Sequence, residues 1–123
     1  MIVREWRMDL DNAILGKSKA FAVRVINLYK HLCSEANEYT LSKQILRSGT
    51  SIGANVREAV NAYSKKEFTA KMSIALKEAS ESAYWLELLV ETEYISQSQF
   101  KSLYADIEEL IKLLTAIIKT SRV

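Results

Sequence analysis

A chain of 123 residues, 49% hydrophobic and 26% charged, is sized for one soluble domain with a core of its own. It has no proline and three glycines, which excludes a turn-rich all-β fold. Cys33 is the only cysteine, so no intramolecular disulfide can form, as expected of a reducing cytoplasm; a net charge of +2 selects no partner.

Residues 1–15 contain Ile2, Val3, Trp6, Met8 and Leu10 but fit no helical stripe well. They read as an N-terminal arm, docked on its own domain (residues 16–123) or on a neighbouring subunit. The charges of this segment rule out a signal-peptide core. No run approaches the roughly 20 apolar residues of a membrane span.

Four helices follow. The first is expected over about 17–35: Phe21, Val25, Leu28 and Leu32 repeat on one face. Beside them Ala22, Ile26, Tyr29, Cys33 and Ala36 make a second stripe, wider than a bundle seam needs, which another copy of the chain could cover. The second helix is expected over 41–62, with Thr40 as its N-cap. Leu41, Ile45, Ser48, Ile52, Asn55 and Ala59 form one line; Leu46, Gly49, Gly53, Val56 and Val60 form another. Gly49 and Gly53 each cost about 1 kcal/mol against alanine in a helix. Either they kink it or they let a neighbour approach closely. A tight break is expected at 61–64.

The third helix is expected over 65–93, opened by a capping box of Ser64 and Glu67. Phe68, Met72, Ala75, Ala79, Ser82, Leu86 and Leu89 keep a seven-residue repeat with a small-residue middle. Small centres on helices two and three suggest tight packing of one on the other. The fourth helix, over 97–121, opens with Ser96 and Gln99 as a second box and carries Phe100, Leu103, Ile107, Leu110, Leu114 and Ile117 as its core stripe. Short links predict an antiparallel up-down-up-down bundle, all α.

Candidate functional residues concentrate on helices two and three. Gln44, Arg47, Ser51, Asn55 and Glu58 step by three or four along one strip, and Lys71, Glu78, Glu81 and Trp85 form a matching line. The strips imply pairing of Arg47 with Glu78 or Glu81, and of Lys71 with Glu58. Such a network fixes register between helices or subunits more than it stabilises; contact with a ligand or nucleic acid is the alternative.

A second set is basic. Lys17, Lys19, Arg24, Lys30, Lys43, Arg47 and Arg57 outnumber Glu35, Glu38 and Glu58 across 12–62, whereas residues 65–93 are net acidic. With Tyr29, Tyr39 and Tyr63 nearby, the basic helices one and two could hold phosphates and stack bases, and oligomerisation would multiply a modest charge. The bland alternative is a solvated face.

Enzyme chemistry finds little footing. His31 and Cys33, two apart on a helix, point to nearly opposite sides. One histidine cannot furnish the two Glu-x-x-His motifs of a di-iron bundle, and no phosphate loop follows a strand. No cofactor or metal is expected.

The run LSKQILRSGTSIGANVREA, then SKKEF, then KMSIALKEASESAYWLELL, resembles the four-helix-bundle proteins encoded within 23S rRNA intervening sequences, also called the S23 ribosomal protein family. Similarity covers residues 12–118. Gly53 stands where many relatives have proline and Ala59 where many have glycine, a departure in helix geometry. The resemblance implies an antiparallel bundle assembled as a homopentameric ring. It also implies kinship with the accessory proteins of diversity-generating retroelements, basic barrels that bind nucleic acid and a reverse transcriptase. The function expected is therefore non-enzymatic: RNA or DNA binding, or a scaffold for a protein partner.

Overall fold

The computed structural model describes residues 2–121, with side chains from residue 12 onward. It contains four helices: α1 (Ile2–Ala36), α2 (Leu41–Val60), α3 (Lys65–Glu91) and α4 (Gln97–Ser121). Helix α2 packs on α1 and α3, and α4 closes the square against α3 and α1. With links of four or five residues, sequential helices run antiparallel, giving the up-down-up-down bundle. No described helix is long and apolar enough to cross a membrane.

The expected stripes become the core. Phe21, Val25, Leu28 and Leu32 of α1, Ile45, Ile52 and Ala59 of α2, Phe68, Met72, Ala75, Ala79, Leu86 and Leu89 of α3, and Leu103, Ile107, Leu110, Leu114 and Ile117 of α4 are all buried. Burying each large apolar side chain contributes about 1.5–3 kcal/mol. The second α1 stripe stays outside: Ala22, Tyr29 and Cys33 are half-buried, Ala36 is exposed, Ile26 is 38% exposed, and its neighbour Val23 is 51% exposed.

Three expectations need correction. First, the segment read as an arm is helical from Ile2 and continuous with α1, and the first buried residue among the described side chains is Ile14, inside that segment. A run without a clean stripe can still be helical when it extends a long helix. The docking of Trp6 lies outside the described side chains. Second, α2 is unbroken through its glycines, and the glycines face α1 rather than α3. A Cβ on Gly49 would lie 2.8 Å from Val25 Cγ2, and one on Gly53 would lie 3.4 Å from Ser18 Oγ. The α2–α3 contact is small at its centre for another reason. There the buried Ser82 hydroxyl donates to Ser48 Oγ at 2.9 Å, so neither polar group is left unsatisfied.

Third, Thr40 adopts helical backbone angles and its side chain makes no cap bond. The cap is Glu38. Its carboxylate accepts from the amides of Thr40 (2.9 Å), Leu41 (2.7 Å) and Ser42 (2.8 Å), and Ser42 Oγ donates back to the Glu38 carbonyl. Burial works against the charged carboxylate. The Leu41, Ser42 and Thr40 amides together outweigh it and hold the carboxyl below its ordinary value. Both capping boxes are present, the one at α3 with its return bond displaced by one residue. Glu67 N–H donates to Ser64 Oγ while the Glu67 carboxylate reaches back to the Tyr63 amide; Ser96 and Gln99 bond each other reciprocally. Without glycine to end them, α1 and α3 are followed by Asn37 (φ 52°) and Glu93 (φ 65°), both left-handed.

Two measurements check this packing. Gly49→Ala gains helix propensity but drives a methyl into stiff, β-branched Val25, so it should destabilise by about 1 kcal/mol or more. Gly53→Ala meets only ordinary contact and should be neutral or stabilise by up to about 1 kcal/mol; urea unfolding reads both. Glu38→Gln should cost about 0.5–2 kcal/mol at neutral pH. Because the folded carboxyl is depressed, its contribution is present above the unfolded carboxyl range and disappears as pH falls through the folded value. The wild-type and Glu38→Gln stabilities should therefore converge as pH falls below the ordinary carboxyl range and through the lower folded value.

Candidate nucleic-acid interface

Two sets of polar residues meet on the bundle surface, and the structure sorts them. In the strip between α2 and α3, Arg47 reaches both carboxylates, bonding Glu78 at 3.2 Å through Nη1 and Glu81 through Nη2. Trp85 Nε1 donates to the same Glu81 oxygen at 3.3 Å. About three turns further along α2, at the other end of the strip, Lys71 Nζ pairs with Glu58 at 3.0 Å. The remaining members do not cross to α3. Ser51 Oγ donates to the Arg47 carbonyl and Asn55 Nδ2 to the Ser51 carbonyl, each back-bonding its own helix. Gln44 is exposed, with no polar partner among the described residues.

The seven basic candidates divide likewise. Arg47 is engaged as above. Arg24 lies across the α1–α4 seam, donating to Asp106 Oδ2 at 2.6 Å, to Ser102 Oγ at 2.9 Å and to the Ser102 carbonyl. Lys17 pairs with Glu109 at 3.3 Å. These three cations hold helices together and their charge is locally neutralised. Lys19, Lys30, Lys43 and Arg57 are exposed and form no ion pair among the described residues. Lys19 and Arg57 meet across a shallow groove between α1 and α2, floored by Leu15, Gly16 and Val60.

The sequence missed the Arg24 clamp because Ser102 and Asp106 are 78 and 82 residues away, and nothing local marks them. The signal that was present is spacing: Ser102 and Asp106 are four apart and so share a helix face. Tyr104, which donates to Glu87 Oε2 at 2.9 Å, ties α4 to α3. Its hydroxyl pKa is raised, first by that bond to a carboxylate and then by burial. Cys33 is half-buried, its thiol 3.7 Å from the Glu38 carbonyl, and His31 is exposed. No three His, Cys, Asp or Glu side chains among the described residues converge as metal ligands would.

The two ion-pair sets differ in what their loss strands. Arg47→Ala leaves Glu78, whose side chain is 13% exposed, without its cation and should cost about 1 kcal/mol in chemical denaturation. Lys71→Ala frees Glu58, 58% exposed, to water and should cost less than about 0.5 kcal/mol.

Comparison with known proteins places this arrangement. A solved structure from Bacteroides thetaiotaomicron, described as a protein of unknown function from the S23 ribosomal protein family, superposes with a TM-score of 0.88. It is 57% identical, over 89% of this chain and 98% of that one. No protein of curated function matches. The 23S rRNA-intervening sequence protein family matches residues 10–116, nearly the whole bundle. The chain belongs to the 23S rRNA-intervening sequence protein family.

Proposed function

We propose that this chain acts without catalysis, as a cytoplasmic homo-oligomer that binds RNA or DNA through α1 and α2. The observation that carries the reading is the pairing of two features on those helices. Lys19, Lys30, Lys43 and Arg57 stand without carboxylate partners among the described residues, and on α1 runs an apolar stripe that one copy of the chain covers only in part, with Ile26 and the adjoining Val23 exposed. The stripe asks for a sister chain, and copies arranged around an axis would bring the free cations of each into one field. A ring of five is the arrangement that the family resemblance implies. Kinship with retroelement accessory proteins, on the same resemblance, supports a polyanionic partner.

A second reading, a scaffold for a protein partner, draws on the outer side of α3, where Ile74 is 42% and Tyr84 53% exposed. The ring contact and a protein contact compete for such surface, and assembly is the more economical use of it.

Two experiments test the proposal. Light scattering should give five times the 14.0 kDa chain mass; a monomer would remove the basis for a multiplied field. Electrophoretic mobility titrations with structured and single-stranded RNA should show binding that weakens steeply with added salt. Absence of any shift at low salt, where phosphate contacts are strongest, would exclude nucleic acid and leave the scaffold.

A further inference from the structure

The charges sort along the bundle as well as between helices. Arg24–Asp106, Gly49 on Val25 and Arg47–Glu81 lie near mid-height and divide the molecule into two ends. One end holds the α2–α3 turn and the C-terminus of α4, which Ser121 joins to Thr69 of α3 at 3.0 Å. Among the described side chains, residues 12–24, 50–78 and 106–121 lie at this end, with ten lysines and arginines against six carboxylates. The other end, residues 25–49 and 79–105, has four against six. Lys30 and Lys43 belong to this acidic end, which also carries Glu35, Glu91 and Glu93.

The basic end has two further peculiarities. Lys65 and Lys66 occupy the first turn of α3, where the helix dipole disfavours cations. Next to them, Tyr63 is 101% exposed, the most exposed large hydrophobic residue described. Its backbone is not loose: its amide donates to Glu67 Oε2 at 3.2 Å, within the capping box that opens α3. The ring touches nothing that the fold requires, yet it stands on a fixed turn among cations. The groove lined by Lys19 and Arg57 reaches Asn61, two residues before Tyr63; Lys66 follows three residues after it, and Lys119 lies in the last turn of α4 at the same end of the bundle.

We infer that the α2–α3 turn end of the bundle is the nucleic-acid contact, and that it takes single strands, with Tyr63 as a base-stacking platform and Lys19, Arg57, Lys66 and Lys119 on the phosphates. This deepens the function proposed above and rests on it. An aromatic face displayed between cations suits unpaired bases, whereas a duplex hides its base faces and presents only phosphates to such a surface.

The assembled protein is titrated by fluorescence anisotropy with a labelled 20-nucleotide oligouridylate and with a duplex of equal length at low salt. The wild type should prefer the single strand. Tyr63→Ala should weaken that binding roughly fivefold or more, as loss of base stacking does, while Tyr63→Trp retains it. Lys19→Gln with Arg57→Gln should lower the salt slope by about two. Lys30→Gln with Lys43→Gln, at the acidic end, should lower the salt slope by less and leave the Tyr63-dependent preference for the single strand intact. All these positions are exposed, and an unchanged thermal unfolding curve verifies that each variant is folded. Wild-type binding that ignores Tyr63→Ala, or that is lost with Lys30 and Lys43 instead, overturns the location and leaves the nucleic-acid function standing. Equal binding of the duplex overturns the single-strand assignment. No binding of either probe by the wild type overturns both this inference and the function it rests on.

Discussion

The fold depends on how thin α2 is at its middle. Gly49 lets α1 come close enough for Val25 to occupy the space a methyl would need. On its other side the same turn of α2 presents Ser48 to Ser82 of α3. Helix α2 is therefore held between two neighbours without a large side chain on either flank at that level. Close approach increases dispersion contact and leaves no void, which is what compensates for the low helix propensity of glycine. The polar pair adds direction: two hydroxyls satisfied only by each other fix the axial register of α2 on α3.

Register at the centre sets what meets at the edges. With Ser48 opposite Ser82, Arg47 falls beside Glu78 and Glu81, and Glu58 beside Lys71. With Gly49 on Val25, the α1 face that meets α4 carries Arg24 to Ser102 and Asp106. These half-exposed pairs add little stability individually. Their consequence is electrostatic: they neutralise Lys17, Arg24 and Arg47 and leave Lys19 and Arg57 without an ion pair among the described residues, in the half of the molecule that also carries Lys66 and Lys119. The distribution of free charge is thus a product of packing, invisible in a count of basic residues per helix.

Helices, stripes, both capping boxes and the Arg47 pairings were legible because each rests on spacings of three or four residues, which sequence displays directly. The partner of the glycines was not. Periodicity shows that Gly49 and Gly53 share a face, but which of two flanking helices that face meets depends on the rotation of α2 within the bundle. Glu38 was missed as a cap because a carboxylate two to four residues ahead of the amides it bonds reaches them only after Asn37 turns the chain into the left-handed region. The helical reading stopped short at residue 16 because the preceding residues lack a clean stripe. The role inferred for Tyr63 required knowing that no described residue covers it.

A double-mutant cycle at Gly49 and Val25 tests the central packing claim most directly. If a methyl at Gly49 is costly because Val25 fills its space, then in a Val25→Ala background the destabilisation caused by Gly49→Ala should largely vanish, giving a favourable coupling of about 1 kcal/mol or more in urea unfolding. Additive effects, with Gly49→Ala costing the same whether or not Val25 is present, would show that the two helices do not meet there and would contradict the account.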